Sequence, residues 1–254
     1  MSGYDYYHSL HRNSDNNMKT IKGYKAYDKG LKCKNFQFKV GEIYEEKEAP
    51  SICNNGFHFC ENPLDVLNYY NLCDSEFTEV EALGKIDKKK DEDTKISTNK
   101  IKIGAKLDLS AFVKASIDFI FEKSKVVKDD KVVASSGYYA QLASSGDSAQ
   151  LASSGNSAQL ASSGDSAQLA SSGNSAKLAS SGYYAQLELN GEKSVGASIG
   201  INGIIKGKKG NWITLAEYND NNEIKFVLSA QIDGKKIKED TWYKLQNKKL
   251  IEVK

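Results

Sequence analysis

The chain contains 254 residues, of which 39% are hydrophobic and 27% are charged, and 35 basic against 33 acidic side chains give a net charge of +2. This length allows one large domain or two to three small ones. The charge balance argues against attraction of nucleic acid or an anionic membrane by an overall field. Arg12 is the only arginine, so a folded site lacks the guanidinium fork that grips phosphate at two points. We therefore expect no direct nucleic-acid binding.

No apolar stretch reaches the roughly 20 residues of a membrane helix. Residues 1–8 are polar and lack the apolar segment of a signal peptide. The sequence therefore predicts a cytoplasmic protein without a membrane partner. Cysteines in that compartment are usually reduced, and we expect free thiols at Cys33, Cys53, Cys60 and Cys73.

The first two segments differ in pattern. Residues 1–18 are polar and aperiodic, which is typical of a disordered extension. Residues 19–104 are predicted to form an α+β domain, because apolar and polar residues alternate as in strands. The predicted strands cover residues 21–27, 36–40, 56–60 and 77–82. A helix is predicted over residues 64–70, with Asn62 as its cap and Pro63 at its first position.

Residues 105–130 are predicted to hold a capping helix and a linker. Leu109, Phe112, Val113, Ile117 and Ile120 follow the spacing of a buried helical stripe over residues 107–125. Asp108 and Ser110 are the candidate N-caps.

A nine-residue repeat dominates residues 131–204. Glycine recurs at Gly137, Gly146, Gly155, Gly164, Gly173, Gly182, Gly191 and Gly200. The unit Gly-x-x-Ala-Gln-Leu-Ala-Ser-Ser combines one short strand with one turn. A fixed period of this kind indicates a stacked array, whereas a flexible linker would need no such phasing.

Two repeats are predicted to close one coil of about 18 residues. The residue after each glycine alternates between aspartate and asparagine, at Asp147, Asn156, Asp165 and Asn174. The same residue type therefore recurs every 18 positions. Alanine and leucine should then point inward and glutamine outward. The predicted edges carry Asp147, Asp165 and Tyr183 on one side, and Tyr138, Asn156, Asn174 and Glu192 on the other.

Residues 205–254 are predicted to form a β-rich C-terminal cap. The predicted strands cover residues 212–216, 224–228, 242–245 and 250–253, with turns at 219–222 and at Asp233-Gly234. A cap is expected because the ends of a solenoid expose unpaired strand edges. The predicted fold class is thus an α+β N-terminal domain, a short nonapeptide β-solenoid and a β C-terminal cap.

Several motifs occur in an order that resembles a known family. They are Lys22-Gly23-Tyr24-Lys25-Ala26-Tyr27, Gly56-Phe57-His58-Phe59-Cys60-Glu61-Asn62-Pro63, Glu79-Val80-Glu81-Ala82, the Gly-x-Ser-Ala repeats and Asp240-Thr241-Trp242-Tyr243-Lys244-Leu245. Together they resemble phage- and prophage-encoded proteins with a central nine-residue repeat and a domain of unknown function. The resemblance implies a phage context.

By association with that context, we expect an inhibitor of a bacterial defence system, an anti-CRISPR protein being one form of it. It would bind a host protein or defence complex in the bacterial cytoplasm. A structural phage component is an alternative, and a homodimer is a second partner hypothesis.

The predicted contact residues lie on the solenoid edges. The Asp and Asn positions form ladders, and two tyrosine pairs bracket the array, where they either pack against caps or anchor a partner. The candidate binding residues are Tyr138, Tyr139, Asp147, Asn156, Asp165, Asn174, Tyr183 and Tyr184.

Catalysis and metal binding receive less support from the sequence. Cys53, His58, Cys60 and Cys73 lack the paired spacing of a zinc site, so we expect neither a metal nor a cofactor. Residues 56–84 are also distantly similar to ADP-ribosyltransferase cores, which implies either such an enzyme or a degenerate nucleotide-binding module. In that alternative His58 and Glu81 are the candidate catalytic residues; otherwise no catalytic residue is expected.

Overall fold

A computed structural model describes residues 20–72, 74–88, 93–123 and 132–253. The extension predicted over residues 1–18 lies outside these ranges, as do Cys73, residues 89–92 and residues 124–130 of the predicted capping helix and linker. Within the described ranges, the helices are too short or too polar to cross a bilayer.

The N-terminal domain is built on a seven-stranded sheet of order β4-β9-β6-β1-β5-β8-β7, with a separate β2-β3 hairpin. Its strands are β1 (Ile21–Tyr27), β2 (Lys32–Cys33), β3 (Phe36–Gln37), β4 (Ile43–Glu45), β5 (Phe57–Cys60), β6 (Glu76–Ala82), β7 (Ile86–Lys88), β8 (Lys95–Thr98) and β9 (Lys100–Leu107). The predicted strand over residues 36–40 is shorter in the structure. Phe38 leaves the hairpin to donate its backbone N–H to the Leu31 carbonyl and to enter the core.

The helix predicted over residues 64–70 is instead a 3₁₀ helix, Pro63–Asn68. Asn62 caps it as expected, since its Oδ1 accepts the N–H of Leu64 at 3.0 Å. The segment is only six residues long, and such short pieces adopt the tighter 3₁₀ geometry readily.

Helix α1 (Leu109–Lys123) begins after Asp108, whose Oδ1 accepts the N–H of Ala111 at 2.7 Å. It was predicted to cap the solenoid end, but it packs along the solenoid flank. Val113, Ile117 and Ile120 lie against a column of alanines. The column contains Ala143, Ala161, Ala179 and Ala197. Small side chains on the outer face of the sheet let the helix approach its backbone closely.

The solenoid is confirmed and contains five coils formed by two parallel sheets. One sheet contains β10 (Val132–Ser135), β12 (Gln150–Ser153), β14 (Gln168–Ser171), β16 (Gln186–Leu189) and β18 (Ile204–Gly207). The other contains β11 (Gln141–Ser144), β13 (Gln159–Ser162), β15 (Lys177–Ser180), β17 (Val195–Ser198) and β19 (Trp212–Tyr218). From β10 to β16, each strand pairs with the strand 18 residues on, as Leu151 does with Leu169, and β17 pairs with β19 at an offset of 17 residues. The leucines and the first alanine of each unit form the core.

The parallel stack continues past residue 204, where the repeats were predicted to end, because β18 and β19 keep the parallel register. Antiparallel strands then cover this end: β20 (Ile224–Gln231) on β19, and β21 (Trp242–Gln246) with β22 (Lys249–Val253) on β18. The other end differs. β10 and β11 are the terminal strands of their sheets in the described part of the chain.

Candidate functional site

The predicted Asp and Asn ladders exist, and their side chains hold neighbouring coils together. On one edge Asp147 Oδ1 accepts the N–H of Asp165 at 3.0 Å, and Asp165 Oδ1 accepts that of Tyr183 at 2.8 Å. On the other edge Asn156 Oδ1 accepts the N–H of Asn174 at 2.8 Å. These oxygens satisfy backbone donors that the turns would otherwise leave unpaired. The ladders therefore have a structural role.

The two tyrosine pairs lie on opposite edges and do not form one patch. Tyr138 is 70% exposed and Tyr139 57%, and their ring centroids are 6.2 Å apart. Tyr138 is fixed by Asn156, whose Nδ2 donates to the tyrosine hydroxyl at 2.9 Å. Tyr183 and Tyr184 lie one coil after Asp165 on the other edge, and they are also exposed. All four rings thus face solvent rather than the strands that cover the C-terminal end.

The Tyr138–Tyr139 pair belongs to the first coil, which we call the open end. It consists of β10, β11 and the turn between them. Val132 is 69% exposed there, and Val133 and Leu142 are only partly buried although they belong to the core. Strand edges, apolar side chains and two aromatic rings therefore occur together at this end.

The N-terminal domain packs on the same sheet flank as α1. Gln159 and Lys177 point outward from β13 and β15, yet both are buried. Gln159 accepts from Asn62 Nδ2 at 2.7 Å and donates to Asp65 Oδ1 at 3.1 Å. Lys177 Nζ lies 3.5 Å from Asp65 Oδ1. The prediction of outward glutamines holds, but this part of the flank is an interface and not a free surface.

A cavity of about 740 Å³ lies in the N-terminal domain beside the single residue pair that joins β1 to β5, Tyr24 with Cys60. Its walls are largely aromatic, and several polar groups converge on it. The lining includes Tyr24, Lys25, Cys33, Phe36, Phe38, Cys53, Phe57, His58, Cys60, Tyr69, Tyr70 and Lys95. This volume lies within the range of small-molecule sites. His58 was a candidate residue from the sequence, whereas the cavity was not predicted.

His58 stabilises a turn in the wall of this cavity. Its Nε2 accepts the backbone N–H of Cys53 at 3.1 Å, so the imidazole is neutral and its proton lies on Nδ1. Burial lowers the pKa of His58, and the positive charges of Lys95 and Lys25 lower it further. The nitrogen that a general base would use is therefore already engaged by the backbone.

The described cysteines are spread around the cavity. Cys33 Sγ lies 3.3 Å from the Tyr70 hydroxyl, and Cys53 Sγ accepts from Lys95 Nζ at 3.5 Å. Cys60 is buried, and burial raises the pKa of its thiol. Across the described ranges, no three His, Cys, Asp or Glu side chains converge as metal ligands would.

Glu81, the second candidate of the enzymatic alternative, lies elsewhere. It projects from β6 into a separate groove, where Lys22 Nζ is 3.8 Å from its Oε1. Tyr24 lines both the groove and the cavity, but His58 lines only the cavity. The structure therefore does not bring His58 and Glu81 to one site.

Comparison with known proteins gives one family match. A model described as a domain of unknown function (DUF7666) matches residues 21–115. The match begins at the first residue of β1 and ends within α1, so it contains the cavity and none of the repeats. Neither the curated proteins nor the solved structures contain a match.

Proposed function

We propose that this protein acts by binding another protein and that the open end of the solenoid is the contact surface. Consistent with the resemblance to phage-encoded repeat proteins, the partner would be a bacterial host protein, and binding would inhibit a defence system such as a CRISPR complex. The protein would then act in the host cytoplasm.

The open end carries this proposal because it combines two features of protein contact surfaces. Exposed tyrosines are enriched among residues that dominate binding energy, and Tyr138 and Tyr139 are both more than half exposed. Unpaired strand edges accept an added strand from a partner, and β10 and β11 offer such edges within the described chain.

The geometry of the other candidates supports binding over catalysis. The ladder oxygens of Asp147, Asp165, Asn156 and Asn174 are engaged with backbone donors. His58 accepts a backbone hydrogen bond, and Glu81 faces a different groove. The tyrosines are the predicted site residues whose rings remain available to a partner.

Site-specific photocrosslinking tests the proposal. Tyr139→p-benzoylphenylalanine would be expressed in the infected host, with Tyr184→p-benzoylphenylalanine on the opposite edge as the matched control. We expect position 139, and not position 184, to crosslink one stoichiometric component of a host defence complex. Tyr138→Ala should reduce that crosslink and the protection of phage by roughly 30-fold, as truncation of a dominant contact residue does.

Three results would contradict the proposal. Crosslinking of position 139 to a second copy of the chain would indicate a homodimer through this end. Crosslinking to a virion protein would indicate a structural phage component. Equal crosslinking from positions 139 and 184 would show that the open end is not the specific surface.

A further inference from the structure

A buried lysine lies in the wall of the N-terminal cavity, and the residues that the structure describes give it no acidic partner. Lys25 is 6% exposed. Its Nζ donates to the backbone carbonyl of His58 at 2.8 Å and lies 5.3–5.4 Å from the ring centroids of Tyr27 and Phe38. Within the described ranges, no carboxylate oxygen lies within 4.0 Å of this nitrogen. An ammonium has three donors, so the carbonyl satisfies only one of them.

Burial lowers the pKa of Lys25, because an ammonium away from water and without a counter-charge is energetically costly. The two aromatic faces recover part of this cost through cation–π attraction. The remaining donors adjoin a cavity large enough for a small molecule. An anionic group in that cavity would supply the missing acceptor and the missing charge together.

A second lysine extends the positive region of the cavity. Lys95 Nζ is held 4.3 Å from the ring centroid of Tyr69 and 3.5 Å from Cys53 Sγ. Among the described lining residues there is one carboxylate, that of Glu46, and this residue is exposed. Three lysines therefore line the cavity, Lys25, Lys95 and the exposed Lys34, and its described acidic group stays in contact with water.

The type of cation and the type of wall restrict the ligand. A lysine ammonium binds phosphate as a compact point charge, whereas the planar fork of arginine binds phosphate or carboxylate at two points. The described chain offers lysine alone here. The aromatic walls favour a flat ring, because ring faces attract one another by stacking.

We propose that this cavity binds a phosphorylated nucleoside, with its phosphate at Lys25 and Lys95 and its base among the aromatic side chains. The site is separate from the open end of the solenoid and does not depend on the protein-binding proposal. It lies within the segment matched by the domain of unknown function.

Isothermal titration of the full chain with AMP, adenosine and inorganic phosphate tests this assignment. We expect AMP to bind at least tenfold more tightly than either fragment, because it alone uses both parts of the cavity. Lys25→Met should weaken AMP binding at least tenfold, which is the usual effect of losing a charge-assisted hydrogen bond. Lys95→Met should weaken it in the same direction.

Lys22→Met is the matched control. Lys22 lies on the same strand, but its side chain is 80% exposed and outside the cavity, so AMP affinity should stay unchanged. Because methionine fills the space of a buried lysine without its charge, Lys25→Met should melt no lower than the wild type.

The proposal fails if the wild type does not bind AMP, or if adenosine binds as tightly as AMP. It also fails if Lys25→Met, shown by circular dichroism to be folded, binds AMP like the wild type. If Lys25→Met does not fold, unchanged AMP binding by Lys95→Met overturns the assignment of the phosphate.

Discussion

Lys177 Nζ lies 3.5 Å from Asp65 Oδ1, and this ion pair links a solenoid strand to the 3₁₀ helix of the N-terminal domain. Both side chains are only 7% exposed. Lys177 also donates to Asn68 Oδ1 at 3.0 Å, while Asp65 accepts from the backbone and hydroxyl of Thr94. Lysine replaces the glutamine of the other perfect repeats at this position. The substitution therefore gives Asp65 a buried cation on β15, one coil beyond its contact with Gln159 on β13.

Removing one member of this pair should destabilise the protein strongly. Lys177→Met leaves Asp65 buried without its cation, and we expect a loss of about 3 kcal/mol in the free energy of unfolding by urea. The double variant Asp65→Asn/Lys177→Gln removes both charges and should recover most of that loss. Lys206→Met breaks a more exposed pair with Glu188 and should cost less than about 1 kcal/mol. Equal effects of Lys177→Met and Lys206→Met would show that burial of the Lys177–Asp65 pair does not matter for stability.

Repeat glycines should be essential only where another coil lies beneath them. A Cβ on Gly155 would overlap the carbonyl oxygen of Gly137, one coil earlier, whereas the nearest atom to a Cβ on Gly137 is Ser135 Oγ at 3.6 Å. We expect Gly155→Ala to lower the urea midpoint by the equivalent of about 2 kcal/mol, as overpacking does. Gly137→Ala should have little effect. The stacking argument is wrong if the two variants unfold at the same urea concentration.

The edge ladders should depend on an acceptor oxygen and not on negative charge. Asp165→Asn keeps an oxygen for the N–H of Tyr183 and should leave the melting temperature within about a degree. Asp165→Ala leaves that N–H without its partner and should cost about 1 kcal/mol. Differential scanning calorimetry compares the two. A strong loss in Asp165→Asn would mean that the charge itself is needed.

Stability should fall in mildly acidic solution because of His58. Its folded-state pKa lies below the ordinary value of about 6.5, so the unfolded chain takes up a proton at higher pH than the folded chain. The contribution of neutral His58 is complete above pH ~6.5 and is lost as the pH falls from there through the folded pKa. Lys25 and Lys95 face the same imidazole and oppose its protonation.

The variant His58→Gln isolates this effect, since His8 and His11 are present in both proteins. The difference in unfolding free energy between the wild type and His58→Gln should shrink as the pH falls below 6.5. A difference that is constant from pH 8 to pH 5 would show that His58 does not titrate differently on folding.

Much of the architecture was predictable because it is periodic. The alternation of Asp147, Asn156, Asp165 and Asn174 predicted an 18-residue coil, and the same residues form the two ladders. The cap of α1 at Asp108 was also predicted, because N-capping is local chemistry. Such features depend on neighbours in sequence or on exact repetition.

Features that join distant segments were not predictable in this way. Helix α1 packs on the flank against the second alanine of every other repeat. Because the intervening perfect repeats carry the same alanine, the sequence does not show which repeats the helix contacts. The cavity requires β1, β5 and the turn before β5 to meet. Lys25 looks like an ordinary strand lysine in the sequence. Its burial is indicated only by the alternation of the strand, which places it on the same face of β1 as the buried Gly23 and Tyr27.

Because two repeats form one coil, the number of repeats in this protein cannot change freely. Loss or gain of one nine-residue unit would move every later strand to the opposite sheet, so Lys177 would face away from Asp65 and the terminal strands would lose their partners. Loss or gain of two units keeps each face in place. Variation in repeat number among relatives should therefore occur in steps of 18 residues, which keep a lysine at the position of Lys177 opposite Asp65.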